Sequence, residues 1–430
     1  MDISKPNIIF VIVDGLRPKD LSLYGRKKEL DTNIKKIAVE SIVFKNNFSA
    51  SNASDVSLTA IFSGQYPSTN GLLHQAPNTK PEEIEKLRKN KFWLPLYLQN
   101  ADYTTISVTP QYMWFKKGFN YCMKKEAQGS GKYLNIPSVK KVLLNIPDWM
   151  YKLGKRFVKI RASPQFYSSE EVINSSIEHI KKSKKPFFLF MHLVDTHCPY
   201  PGVRLKNVTA KNSVKSIIKD VDSVGQKEYI KKRFFDASTN SLEQMKQKLD
   251  DAISDVDKNI GRLYNFLKKE KLWDNLIFIL SSDHGDNFGE HKIYFCRGGL
   301  YDTSIHVPLI MRIPGIKNKE IEELTQSIDI APTILDVLKN KNNELDGKSL
   351  LEVIKNEKGR EKIVSFDSYA DNAIAIRTKI RKYISRDKSY CYLCNAMHGD
   401  SHEEYDLVYD PEEENNIYNP DILNDLKFFK

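Results

Sequence analysis

Asp283-His284-Gly285 sets a carboxylate beside an imidazole two serines after the apolar run Leu276 to Leu280. Asp14 closes a second run of the same kind, Ile8-Ile9-Phe10-Val11-Ile12-Val13. A hard oxygen donor next to a nitrogen donor suits a zinc- or manganese-like divalent ion better than calcium, which takes an all-oxygen shell. Each residue alone reads more simply, the aspartates as caps of turns or helices and His284 as a hydrogen-bonded polar side chain. Their joint placement at the ends of strands favours a shared ion.

The elements that must position them form an α/β pattern. Short β-branched runs read as buried parallel strands, and open α/β sheets bind ligands outside the carboxyl ends of such strands. A third run, Phe187 to Leu193, ends near Asp195. Helical patterns at Asp31 to Val39, Ser168 to Ser183 and Ser241 to Lys269 alternate with these strands, giving a sheet with helices on both faces. After the amphipathic Asp329 to Leu338, strand-like pieces follow closely at Lys362 to Ser368, Ala373 to Thr378, Lys382 to Arg386 and Tyr405 to Tyr409. They predict a small antiparallel sheet, with a boundary near Lys355: a catalytic α/β domain over 1–355 and a C-terminal subdomain over 356–430.

Composition narrows the partners. The 430 residues carry a formal charge of +11, which suits anionic ligands. Five cysteines, Cys122, Cys198, Cys296, Cys391 and Cys394, are too few and too odd in number for a secreted disulfide framework and fit a reducing compartment. No charged leader with a long apolar core opens the chain, and nowhere do roughly twenty apolar residues run uninterrupted. The expectation is a cytoplasmic protein or one peripheral at a membrane surface. Residues 132–161 interleave Lys140, Lys141, Lys152, Lys155, Arg156 and Lys159 with Val142, Leu143, Trp149, Leu153 and Phe157. A core-facing helix with a solvated basic face is the simpler account, and contact with an anionic membrane or a lid over the site is the other. Nucleic acid is not expected, because the basic residues lie in no recognised motif. Cys391-x-x-Cys394-x-x-x-His398-x-x-x-His402 has ligand types for structural zinc, but its spacing is too short for an ordinary finger, and a hairpin with incidental thiols and imidazoles is expected.

Further segments stand in a fixed order along the chain. Asn7 to Arg17, with Val13-Asp14-Gly15-Leu16-Arg17, is followed by Phe62-Ser63-Gly64-Gln65-Tyr66-Pro67-Ser68, by Phe190 to His197 and by Ser282-Asp283-His284-Gly285-Asp286-Asn287-Phe288-Gly289-Glu290-His291. Leu300 to Ile310, Asp329 to Leu335, Arg381 to Ile384 and Glu404 to Pro411 continue that order almost to the end of the chain. Together these segments resemble the sulfatase family, and the resemblance implies a member of the alkaline phosphatase superfamily, with a mixed, mostly parallel sheet sandwiched by helices and a four-stranded C-terminal subdomain.

It also implies roles. The family's nucleophile stands ten residues before the glycine of a Gly-x-Tyr-Pro element, which here makes it Ser54 before Gly64. In sulfatases that residue is oxidised to formylglycine under the direction of a following proline and arginine, and Val56 and Leu58 occupy those places. The run Ser54 to Ser63 is more similar to phosphoethanolamine transferases, in which an unmodified threonine attacks phosphorus. Ser54 is thus the expected nucleophile and, with Asp14, Asp283 and His284, a ligand of one divalent ion: zinc or manganese first, magnesium or calcium after them. An ion that stabilises the alkoxide makes an ordinary hydroxyl reactive near neutral pH. Gly15 replaces the second aspartate usual in sulfatases, and Asp195 with His197 are too closely spaced for a second metal. By the same resemblance His197 protonates the leaving oxygen, Arg297 clamps the anion, and His306, in place of a usual arginine, touches substrate or makes a structural hydrogen bond.

The leading expectation is a phosphoester hydrolase or phosphotransferase working through a covalent Ser54 intermediate on a phosphodiester or a phospho-substituted glycan or lipid head group. A sulfuric ester hydrolase using the same pocket is the second. A catalytically silent relative that binds anionic glycans is the third.

Overall fold

The computed structural model describes residues 5–109, 116–123, 167–183, 186–198, 200, 218, 221, 223–235, 242–340, 342, 344–387 and 390–420. The basic stretch 132–161 lies outside them. Among the described residues, no helix is long and apolar enough to cross a membrane.

The apolar run after Pro6 forms β1 (Asn7–Val13), the middle of the molecule. It pairs in parallel with β5 (Phe187–Leu193) on one side and β6 (Leu276–Ser281) on the other, and every residue of the three strands is buried. Burial on both faces is why these strands read as continuous apolar runs. Ile9, Val11 and Val13 point to one helical layer, where the helices Ser169–Lys182 and Leu242–Lys269 contribute Val172, Ile173, Val256 and Ile260. Ile8, Phe10 and Ile12 point to the other, filled by Leu58 and Ile61 of the helix Ser54–Ser63 and by Ile330 and Ile334 of the helix Ile330–Val337.

The remaining strands are β2 (Ile42–Phe48), β3 (Thr104–Val108), β4 (Tyr121–Cys122), β7 (Leu309–Arg312) and β8 (Lys319–Gln326). They complete an eight-stranded sheet in the order β4-β3-β5-β1-β6-β7-β2-β8. The sheet is mixed because β7 runs antiparallel to both neighbours, β6 and β2, while the other pairings are parallel. These five strands carry weaker sequence signals: Lys45-Asn46-Asn47 interrupts β2, and β8 alternates charges with Ile321 and Leu324 at the sheet edge.

A second sheet follows, with β9 (Ile363–Phe366), β10 (Ile374–Arg377), β11 (Arg381–Ser385) and β12 (His402–Asp406) antiparallel in the order β12-β11-β10-β9. The last strand begins earlier than its expected start at Tyr405, since His402 pairs with Ser385 and Asp406 with Arg381. Its opening His402-Glu403-Glu404 is too charged to read as a strand. Buried Glu403 is nonetheless satisfied there by the Tyr301 hydroxyl at 2.9 Å and by Arg386 at 2.9 Å. Phe366 N donates to Ala50 O at 2.9 Å, joining this sheet to the segment that leads into Ser54.

Candidate active site

Asp14 and Asp283 follow adjacent parallel strands, so their side chains meet at one sheet edge. The chain turns at Gly15 with φ of 67°, a left-handed conformation that glycine adopts without steric cost. Gly15 N and His284 N donate to Asp283 Oδ1 at 3.2 and 3.1 Å. Asp283 Oδ2 and Asp14 Oδ1 are buried without a hydrogen-bond partner, as are both ring nitrogens of His192. His192 Nε2 lies 3.5 Å from Asp14 Oδ2 and 3.7 Å from Asp283 Oδ2, too long for good hydrogen bonds. Burial favours the neutral Asp14 carboxyl, but His197, His192 and His284 when protonated, together with Arg297, outweigh it and hold the group well below the usual carboxylate range. Two carboxylate oxygens and an imidazole nitrogen that converge with no protein partner are the surroundings a divalent cation satisfies.

Ser54 reaches this cluster because its helix is pinned there. Ser57 Oγ, one turn further along, donates to Asp283 O at 2.7 Å, and Ser49 Oγ donates to the same carbonyl at 2.7 Å. Ser54 therefore occupies the first turn of a buried ten-residue helix whose positive dipole end faces the site. Its hydroxyl lies 3.1 Å from His284 Nε2. His284 Nε2 is in turn 3.4 Å from Asp283 Oδ2 and 4.0 Å from Asp14 Oδ1, so this ring also lies within reach of the carboxylates.

Arg297 closes the constellation. Its Nη1 lies 3.5 Å from Ser54 Oγ and contacts His284 Nε2, and its Nη2 lies 2.7 Å from His197 Nε2. A guanidinium only donates, so both imidazole nitrogens facing it accept. The Nδ1 atoms then carry the protons, which fits their placement 2.7 Å from Cys198 O and 3.0 Å from Gly285 O. Burial alone would lower the Arg297 pKa, yet neighbouring Tyr369, Asp286 and Asp14 raise it well above the ordinary value. A fixed cation beside a hydroxyl, at the N-terminus of a helix, can bind an oxyanion and stabilise the charge that develops when the hydroxyl attacks it.

The structure thus brings together Asp14, Ser54, His197, Asp283, His284 and Arg297. His306 is engaged differently: its Nε2 faces Lys45 O at 2.8 Å and its ring stacks on Phe48 with centroids 4.7 Å apart. Asp195 caps the helix Ser169–Lys182, accepting from Ser169 N at 2.8 Å. Sequence reasoning missed His192, although an imidazole inside the otherwise apolar run Phe187 to Leu193, next to a strand that ends in aspartate, was a usable signal.

The family model described as Sulfatase matches residues 6–340. The chain belongs to the sulfatase family. A second model, N-sulphoglucosamine sulphohydrolase, C-terminal, matches residues 289–428. The family hydrolyses sulfate or phosphate esters and generally binds a divalent metal. Among the relatives is the N-acetylglucosamine-6-O-sulfatase of Bacteroides thetaiotaomicron, 23% identical over 96% of this chain and 83% of that protein. The phosphonate monoester hydrolase of Agrobacterium radiobacter superposes with a TM-score of 0.67 at 18% identity, covering 98% of this chain and 93% of that one. A protein solved with its substrate D-glucosamine-2-N,6-O-disulfate gives a TM-score of 0.67 at 20% identity, covering 97% and 94%. The relatives' names therefore favour the sulfuric ester reading over the phosphodiester one expected from the nucleophile segment.

Proposed function

We propose that this chain hydrolyses a sulfuric ester carried on an anionic sugar, with Ser54 as the attacking group. The observation that carries the reading is the position of Ser54 Oγ, between a neutral imidazole that can take its proton and a buried guanidinium that can hold the anion. The sugar sulfates named for two of the similar proteins and the excess of positive charge support the substrate class. Residues 1–355 would form the catalytic unit and 356–430 its C-terminal subdomain.

In this reading Arg297 binds the nonbridging oxygens of the ester and places sulfur in front of Ser54. The hydroxyl proton passes to His284 Nε2 as Oγ bonds to sulfur, and the bond to the sugar oxygen breaks. His197, freed from Arg297 by the bound anion, takes up a proton from solvent at Nε2 and delivers it to that oxygen. Water then attacks sulfur and passes one proton to His197 Nε2, while His284 returns its proton to the departing Ser54 Oγ. The serine is restored and hydrogen sulfate leaves, losing its last proton to solvent. Asp14, His192 and Asp283 would hold a divalent ion, which when bound supplies positive charge to the reacting oxygens, and His284, whose Nε2 takes the Ser54 proton, is not counted among its ligands. The nitrogen donor favours zinc or manganese over calcium.

A second reading, a phosphorus ester as substrate, is favoured by Val56 and Leu58 standing where the formylglycine signal would lie. Matched assays with p-nitrophenyl sulfate, phosphate, methylphosphonate and bis(p-nitrophenyl) phosphate separate the two, together with glucosamine 6-sulfate and the mass of the peptide containing residue 54. A dominant sulfate rate supports the proposal, and a dominant phosphorus rate transfers it to the second reading. Absence of turnover on all of them in the metal-loaded chain would overturn both.

A further inference from the structure

Cys296, Cys391, Cys394 and His398 come from two loops about a hundred residues apart, yet three sulfurs and one ring nitrogen lie within 4.8 Å of one another, all buried. His398 Nε2 is 3.0 Å from Cys394 Sγ and 3.9 Å from Cys296 Sγ. Tetrahedral zinc, with bonds of about 2.3 Å to sulfur and about 2.0 Å to nitrogen, spaces such donors roughly 3.5 Å apart, so the two distances straddle those of a bound ion. Apolar packing accounts for buried thiols, which behave as small hydrophobes. It does not account for an imidazole nitrogen aimed at them.

The surrounding backbone is built for this approach. Cys391 O accepts from Asn395 N at 2.8 Å, and Cys391 N donates to Ala396 O at 2.8 Å, so the Cys391-x-x-Cys394 turn curls back on its own sulfurs. A Cβ at Gly298 would stand 2.4 Å from His398 Cδ2 and 3.1 Å from Cys391 Sγ, so the absence of a side chain there lets the two loops meet. His402, the fourth ligand suggested by sequence spacing, is instead exposed on β12 beside Tyr383 and Ser385. Cys296 takes its place.

We propose that Cys296, Cys391, Cys394 and His398 bind one zinc ion in a structural site distinct from the catalytic cluster. Its role is to clasp the C-terminal subdomain to the loop that carries Arg297. Three thiols and a histidine with no open position make a closed site of the structural type. Each thiol gives up its proton on binding. Because Cys296 precedes Arg297, the ion would also fix the guanidinium that the active site depends on.

The test uses the full chain with Asp283→Asn, which removes a carboxylate from the catalytic cluster and leaves the thiol cluster intact. Purified from zinc-supplemented cells, it is expected to retain about one zinc per chain, and adding Cys391→Ser with Cys394→Ser should remove it. Should the cysteine variants not fold, cobalt(II) reconstitution of the unmutated chain still decides. A thiolate-to-cobalt charge-transfer band in the near ultraviolet supports the site, and cobalt binding without that band overturns it. Zinc content unaffected by the two serines would also sink the proposal, as would a native mass lacking two hydrogens from a Cys391–Cys394 disulfide.

Discussion

Ser54 Oγ and His284 Nε2 stand 3.1 Å apart, although 230 residues separate them in the chain. The contact depends on Asp283 O, which accepts from Ser57 and so fixes the register between the helix and the strand end. Replacing Ser54 by alanine removes one hydroxyl and leaves that anchor in place. Turnover is expected to fall by roughly three orders of magnitude or more. Stability should change by only about 1 kcal/mol, the worth of one hydrogen bond. Initial rates beside a thermal melt check both, and near-normal turnover would remove Ser54 from the mechanism.

Arg297 separates charge from geometry. Alanine at this position removes both the anion clamp and the partner of two imidazoles, and kcat/KM is expected to fall by roughly a hundredfold to a thousandfold. Lysine restores a cation without the planar fork, so it should recover only part of the loss. Equal kcat/KM in the lysine variant and the parent chain would show that a point charge suffices.

His192 is the sharpest test of the metal cluster, because its ring nitrogens hydrogen-bond to neither Ser54 nor Arg297. Zinc or manganese added to metal-free chain is expected to raise Tm, since an ion that binds only the folded state stabilises it by mass action. His192→Asn should weaken that response and lower metal affinity by roughly tenfold or more. An unchanged metal titration in the variant would place the ion elsewhere.

The legible part of this molecule is the part buried on both faces. β1, β5 and β6 announce themselves because apolar side chains are required on either side, and the polar residues just beyond two of them, Asp14 and Asp283, stand out against that background. The outer strands carry only half of that signal, and polar residues hide it in β2, one in from the β8 edge, and in the edge strand β12. Asp195 and His192 show the limit within the site itself. Both lie in or just after β5, but the residue beyond the strand turned to cap a helix while the one inside it turned to the carboxylates. Local sequence does not encode which of the two faces the neighbouring strand ends. Cys296 was illegible as a partner of Cys391 for a similar reason, since only the packing of two sheets brings it there.

Acid stability offers a test away from the chemistry. The His291 ring stacks on Tyr301 with centroids 3.6 Å apart, and burial, followed by the charge of Lys382, lowers its pKa to about 4 from 6.5. Between those two values the unfolded chain binds a proton that the folded one refuses, so stability rises with pH across this window and is lost as pH falls through it. His291→Asn removes the titration while keeping a residue that tolerates the left-handed backbone at φ of 53°. The variant loses the stacking contact, so it is expected to be less stable at pH 8 and yet to show a flatter decline from about pH 6.5 towards 4. Denaturant midpoints measured across that range give the answer. Parallel curves for the two chains would mean that His291 does not carry the acid sensitivity.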